Sequence, residues 1–294
     1  MTPAARPLLA CARSFLFVPA DRPERYAKAL ASGADAVIID LEDAVAPAAR
    51  AAARAALHTA WSTLAAADRA RLLVRINAEG TPWHADDVAL VAALVRQGLA
   101  GVVLSKAERA STLAALAAAC PGAALLPLVE SAEGAAALDA LAGAPQVLRL
   151  VLGHLDLQLD MGMACGPDQA ELAPLRWALV LASRRAGLAA PVDGVTTATG
   201  DAAALAQDTA RSRRWGFGAK LCIHPAQIAT VHATLAPSAA ECAWAERVLA
   251  AAVAAAGGVC VLDGRMVDTP VITLARQTLE RQTLERQALG ASRL

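Results

Sequence analysis

Eight short apolar runs of strand character, each followed by an Ala- and Leu-rich amphipathic stretch, constrain the fold of this chain more than any other feature. The runs are SFLFVPA (14–20), AVIIDLED (36–43), LLVRINA (72–78), GVVLSKA (101–107), ALLPLVES (124–131), LRLVLGHLDL (148–157), PVDGVTT (191–197) and AKLCIHP (219–225). Between them lie segments such as PERYAKALAS, AARAAARAALHTAWSTL, DDVALVAALVRQ and DAAALAQDTARSRRWG, built from residues of high helix propensity. Strands alternating with helices imply right-handed parallel βαβ units, and eight such units closing on themselves make a (β/α)₈ TIM barrel. An open doubly wound sheet is the competing arrangement. It would carry a glycine-rich turn after its first strand, where this chain has Val18-Pro19-Ala20-Asp21.

Past the eighth run come a helical stretch (239–256) and GGVCVLDGRMVDTP, in which Asp263-Gly264 reads as a tight turn between two short strands. The tail holds a tandem QTLER repeat, read as a solvated or frayed C-terminal helix. The expected organisation is a barrel domain over 1–236 and a helical, hairpin-bearing lid extension over 237–294.

With 294 residues and 56% hydrophobic content the chain can bury one large core. Its formal net charge of +0 gives no polyanion-binding surface, so nucleic acid is not an expected partner. No apolar run is long enough to span a bilayer, and MTPAARPLLACAR lacks the pattern of a secretory signal. A soluble, cytoplasmic protein is expected. Six cysteines are scattered without a CxxC pair or a zinc-type spacing, which points to inert thiols.

One compositional bias is informative. Of 27 basic residues only Lys28, Lys106 and Lys220 are lysines, and Asn77 and Tyr26 are the sole residues of their types. If drift toward a GC-rich coding sequence removed such residues wherever Arg, Ala, Val or Leu would serve, the survivors mark positions where replacement was hard. They gather at 15–39, 76–77, 106 and 217–228.

Barrel enzymes place their chemistry at the C-terminal ends of the strands. Polar residues appear there in otherwise apolar runs: Asp40, Glu42 and Asp43 after the second strand, Arg75 and Asn77 after the third, Lys106 after the fourth and Glu130 after the fifth. His154 and Asp156 end the sixth and His224 the eighth. Unpaired, such buried charges would each cost several kcal/mol, so they need partners or a metal. Glu130 and Asp156, from adjacent strands, form the best pair for a hard cation such as Mg²⁺, which takes one or two carboxylates and completes its octahedron with water and substrate oxygens. Glu42 and Asp43 are candidates for holding metal-bound waters. Mg²⁺ with Arg75 would stabilise a developing enolate. The competing readings are a salt bridge from Glu130 to Arg75 or Lys106, a helix cap at Asp156, a Schiff base on Lys106, and a general base or positioning role for His224.

At these residues the sequence resembles the citrate lyase β-subunit-like family of the HpcH/HpaI aldolase superfamily. The similarity runs from about residue 13 to 275 through RSFLFVPADRPER, ADAVIIDLEDAV, VRIN, LSKAE, LPLVESAEG, LGHLDLQLDMG, GFGAKLCIHPAQI and LDGRMVDTP. The resemblance implies that Glu130 and Asp156 ligate Mg²⁺, and that Arg75 binds carboxylate and oxyanion. It implies that Phe17, Lys28, Ile223 and His224 contact the acyl-CoA. It further implies that Asp268, in MVDTP, is the general acid/base on a C-terminal lid that often serves a neighbouring subunit of a trimer or hexamer. The departures are Ala20-Asp21 where the family has Gly-Asn, Ser105 where proline is common, and His154 where a small residue is usual. The function implied is a Mg²⁺-dependent carbon–carbon lyase acting on a malyl-, citramalyl- or citryl-CoA-like thioester, releasing an acyl-CoA such as acetyl-CoA and a keto acid, or the reverse condensation. The alternatives are a CoA-independent class II aldolase of 2-keto-3-deoxy acids, a malyl-CoA thioesterase and a non-catalytic CoA-binding subunit.

Overall fold

Apolar runs without polar alternation are what strands buried on both faces require. In the computed structural model, which describes residues 5–255 and 258–291, these runs become β1 (Ser14–Pro19), β2 (Ala36–Asp40), β3 (Leu72–Ile76), β4 (Gly101–Leu104), β5 (Ala124–Val129), β6 (Val151–Leu152), β7 (Val192–Asp193) and β8 (Ala219–Cys222). All eight are parallel and follow sequence order around a closed barrel. Ser14, Phe15 and Leu16 of β1 pair with Lys220, Leu221 and Cys222 of β8 to close it. Phe15, Ile38, Leu73, Leu126, Val151 and Leu221 share one buried core cluster.

A helix at Ala5–Cys11 precedes the barrel, which the sequence reading did not anticipate. Its Leu9 is fully buried in the same cluster. Arg149 ties it down: the guanidinium donates to the carbonyl oxygens of Ala12 at 2.5 Å, Leu9 at 3.3 Å and Ala190 at 2.6 Å. Burial pushes this arginine down to about 10.

The sixth strand departs from expectation. It stops at Leu152, and Gly153 opens a helix over His154–Asp160. His154 and Asp156, expected at a strand end, therefore occupy the first turn of a helix. The reason lies at Gly153, where a Cβ would stand 2.4 Å from Glu130 Oε2: the backbone turns across the neighbouring carboxylate at a distance only glycine permits. The seventh run is likewise only two residues of strand, and Asp193 leaves it into a buried polar cluster. Asp193 accepts from Ser212 and lies 3.4 Å from Arg176 Nε and 3.7 Å from Lys220 Nζ. Burial alone would raise this carboxyl, but Lys220, Arg176 and Ser212 hold it below the usual carboxylate range. Lys220 also donates to the carbonyl of Gly194 at 2.7 Å.

The chain divides into two compact units, Met1–Val231 and His232–Leu294. In the second, a Ser238–Glu241 capping box starts a helix at Ala239–Ala254. Strands β9 (Cys260–Leu262) and β10 (Arg265–Val267) form the expected hairpin. Asp263 and Gly264 both have positive φ at its turn, 51° and 73°, as a two-residue primed turn demands. The final helix, Thr269–Ala291, contains both QTLER copies, and Leu279 of the first packs on the unit's small core of Ala245, Val248, Val267 and Ala275. Among the described residues no helix is long and apolar enough to cross a membrane.

Candidate active site

A cavity of about 370 Å³ opens at the C-terminal ends of the strands, with Phe17, Asp40, Asp43, Arg75, Glu130, His154, Asp156 and Ile223 in its walls and Leu128, Leu152, Val195 and Leu221 supplying apolar surface. The strands bring together residues separated by more than a hundred positions in sequence.

Arg75, at the penultimate position of β3, is pinned from β2. Its Nε donates to Asp40 Oδ1 at 2.7 Å and its Nη2 to Asp40 Oδ2 at 2.5 Å, a bidentate fork. Asp40 is itself fixed by backbone N–H donors from Glu42 and Ala44, at 2.9 and 3.0 Å. Arg75 Nη1 donates to Asp43 Oδ2 at 3.2 Å and makes an ion-pair contact of 2.9 Å with Glu42 Oε2 that lacks hydrogen-bond alignment. The ring of Phe17 lies 4.7 Å from the guanidinium carbon. Burial works against the charge of Arg75, but Asp40, Glu42 and Asp43 outweigh it and keep the group cationic. Asp40, to which sequence reasoning assigned no role, is thus the main anchor of this arginine.

Glu130 follows β5 and is 2% exposed. Its Oε1 accepts the backbone N–H of Lys106 at 2.8 Å. Burial pushes its carboxyl up to about 8, and the neighbouring Glu42 adds to the rise against Lys106 and Arg75. Burial, with Asp43 and Asp40, likewise raises Glu42 against the pull of Arg75 and Lys106. The Lys106 ammonium is 3.1 Å from Asp156 Oδ1 and 3.6 Å from Glu42 Oε1. Burial opposes that charge, yet Glu130, Glu42 and Asp156 hold the amine above the usual lysine range, the wrong direction for a Schiff-base nucleophile.

His154 is buried against Gly194, where a Cβ would stand 2.1 Å from its Nδ1. Nδ1 has no hydrogen-bond partner. Burial pushes the imidazole down to about 4, with Lys220 and Arg176 acting in the same direction against Asp193, so the ring is neutral at physiological pH.

Of the other expected site residues, Lys28, His224 and Asn77 are not among those that line the cavity. Lys28 is exposed on the short helix Tyr26–Leu30 and does not line the cavity. His224 is exposed, and its Nδ1 accepts the N–H of Ala226. The adjacent loop is shaped by Gln227, absent from the sequence reading: its Oε1 accepts from the N–H groups of Ile223 and His224 at 2.8 and 3.2 Å, while its Nε2 donates to Thr196 O at 2.8 Å. Asp268 belongs to the second unit, where its Oδ1 accepts the N–H of Val271 at 3.3 Å at the start of the final helix. Asn77 is structural, donating to Asp87 and to Leu41 O.

The carboxylates suit a divalent cation of the magnesium type. Among the described residues no group of three or more His, Cys, Asp and Glu side chains is placed to hold a metal. Two carboxylates on an open cavity are nonetheless what Mg²⁺ uses when substrate and water complete its shell. A buried glutamate whose charge is disfavoured, facing a cavity at a glycine-made gap, gains from a nearby dication.

A model of the family described as HpcH/HpaI aldolase/citrate lyase matches residues 13–225. The chain belongs to the HpcH/HpaI aldolase/citrate lyase family. Among its relatives in this family, a citrate lyase subunit beta-like protein of Mycobacterium tuberculosis is 38% identical over 273 residues, covering 91% of this chain and 94% of the relative. A (3S)-malyl-CoA thioesterase of Cereibacter sphaeroides is 35% identical over 268 residues, covering 90% and 92%. The crystal structure of CitE from Mycobacterium tuberculosis in complex with magnesium, acetoacetate and coenzyme A superposes with a TM-score of 0.81 at 36% identity, covering 92% of this chain and 98% of that one. In this HpcH/HpaI family member Arg75, Glu130 and Asp156 line one cavity at the C-terminal ends of the barrel strands.

Proposed function

We propose that this chain is a Mg²⁺-dependent carbon–carbon lyase acting on a 3-hydroxy acyl-CoA thioester of the malyl-, citramalyl- or citryl-CoA type. It would release an acyl-CoA such as acetyl-CoA and a keto acid, or catalyse the reverse condensation. The observation that carries this reading is the convergence of Glu130, Asp156 and the clamped Arg75 on one cavity. Structures of the related M. tuberculosis protein with magnesium and coenzyme A, pyruvate or oxaloacetate support it.

On this reading Glu130 and Asp156 hold Mg²⁺, which when bound supplies Lewis-acid stabilisation of negative charge on substrate oxygens. Arg75 cannot swing away from Asp40, so it presents a preorganised cation to the keto-acid carboxylate and to the developing oxyanion. Asp268 takes the hydroxyl proton as the bond between the hydroxyl carbon and the thioester α-carbon breaks, and the electrons of that bond pass to the thioester as an enolate. Phe17 and Ile223 give the acyl group an apolar wall, Lys28 and His224 serve the coenzyme A portion, and Glu42, Asp43 and Lys106 orient the groups around the metal. The enzyme works as a trimer or hexamer in the cytoplasm.

The similarity to a (3S)-malyl-CoA thioesterase favours one second reading, in which water attacks the thioester carbonyl and free coenzyme A leaves. Mass-spectrometric turnover of malyl-, methylmalyl-, citramalyl- and citryl-CoA, each with Mg²⁺ and with EDTA, separates the two. Metal-dependent formation of acetyl- or propionyl-CoA with a keto acid supports the lyase. Free coenzyme A with the intact hydroxy acid supports hydrolysis. No turnover of any member by the Mg²⁺-loaded protein rejects both. Wild-type turnover by Glu130→Ala would reject the metal assignment.

A further inference from the structure

Lys106 follows β4 with φ at 44°, one of four non-glycine residues with positive φ among those described. A side chain in this region carries strain that glycine avoids. The backbone N–H of Lys106 reaches Glu130 Oε1, and a glycine would make that bond equally well. The strained side chain therefore has to serve through its other contact, the ammonium set 3.1 Å from Asp156 Oδ1 and 3.6 Å from Glu42 Oε1. In a chain where only three of 27 basic residues are lysine, the choice of a compact ammonium here over a planar guanidinium is consistent with its seat between two carboxylates.

We infer that Lys106 sets the divalent-metal affinity of the site, its ammonium sharing Asp156 with the metal and holding binding weaker than the carboxylates alone would give. The inference rests on the metal site proposed at Glu130 and Asp156. Two cations on one carboxylate repel each other, and with the Lys106 side chain 40% exposed that repulsion is partly screened by solvent. A weakened site retains its metal firmly only when substrate oxygens join the shell, so loading with metal and with substrate become coupled. Lys106 is in this sense a positioning residue that acts through Asp156, and its effect is read in metal binding.

The test uses full-length protein and Mn²⁺, with free metal followed by its paramagnetic resonance signal. Lys106→Met keeps the side-chain stem, the strain and the backbone bond to Glu130 while deleting the charge. Lys106→Gly deletes both charge and strain. Both variants are expected to bind Mn²⁺ on the order of tenfold more tightly than wild type, the gain shrinking at high ionic strength. Equal or weaker binding by Lys106→Met overturns the inference, and so does tightening confined to Lys106→Gly, which would locate the effect in the backbone. Wild-type binding that is lost in Glu130→Gln but not tightened in Lys106→Met sinks this inference and leaves the metal site standing. Failure of wild type and Lys106→Met alike to bind Mn²⁺ removes both.

Discussion

Arg75 and Glu130 occupy one cavity with opposite electrostatic histories: the arginine is overcompensated by Asp40, Glu42 and Asp43, whereas burial disfavours ionisation of the glutamate. Two predictions follow from that contrast. Asp40→Asn leaves the side-chain shape but replaces one carboxylate oxygen of the fork with a donor, so Arg75 loses its fixed orientation. With the proposed substrate, kcat/KM should fall about a hundredfold while circular dichroism stays unchanged, the scale expected for a displaced catalytic group. A loss confined to folding would assign Asp40 to the scaffold alone. For Glu130 the sign runs toward lower pH: its folded pKa is raised from 4.5 to about 8, so the folded state keeps a proton that the unfolded chain releases. That stabilisation is full below pH 4.5 and is lost as pH rises through 8. In EDTA, Glu130→Gln should match wild type in denaturant stability below the unfolded pKa, at about pH 4, and exceed it at about pH 8.5 by on the order of a few kcal/mol. A pH-independent difference would contradict the burial argument. At this scale the sequence was informative where residue type was scarce. Phe17, one of three phenylalanines, lines the cavity, Lys106 pairs with Asp156 of its wall and Tyr26 braces the loop after β1 through Ala20 O, whereas Lys220 is buried against Asp193 and Gly194 and Lys28 is exposed. The sequence reading placed Asp40 among the strand-end polar residues without assigning its role and passed over Gln227, because what each does depends on which neighbour it meets.

Elements carry the same lesson in a different form. The eight strands were readable because burial on both faces writes itself as unbroken apolar runs. Where β6 and β7 end was not readable, because Gly153 and Gly194 yield to side chains brought from elsewhere, Glu130 and His154. A propensity argument sees Leu-Gly-His-Leu-Asp-Leu as a continuing strand. The structure turns it into a helix because the backbone must pass Glu130 at close range. The Gly194–His154 pair makes a prediction at this level. In Gly194→Ala the new Cβ would fall 2.1 Å from His154 Nδ1, and β7 cannot yield easily because Lys220 holds the Gly194 carbonyl. Gly194→Ala alone should destabilise by about 2 kcal/mol or more, as overpacking does. His154→Ala removes the clashing ring, so the double variant should recover most of that loss relative to His154→Ala. Thermal unfolding of the four proteins forms a double-mutant cycle, and strict additivity would show that the two residues do not meet in solution.

At the scale of the whole molecule the proposed reaction draws on both compact units, Glu130 from Met1–Val231 and Asp268 from His232–Leu294. The sequence resemblance implies that Asp268 is often delivered to a neighbouring subunit, which makes the chemistry depend on assembly. Consider Glu130→Gln and Asp268→Asn, each expected to lose all but a trace of turnover while keeping its fold. If Asp268 serves its own barrel, no mixture of the two contains a complete site, and co-refolding yields an inactive population. If it serves the next subunit of a ring, a site is complete when its barrel comes from the Asp268→Asn chain and its lid from the Glu130→Gln chain. With random mixing at equal amounts that happens at about one site in four, so co-refolded protein should regain about a quarter of wild-type activity. Light scattering on the same samples counts the subunits, because recovery requires an oligomer and a monomer cannot complement. Recovery near one quarter would establish both the role of Asp268 and its delivery in trans. Its absence from a demonstrated mixed oligomer would confine the reaction to single chains.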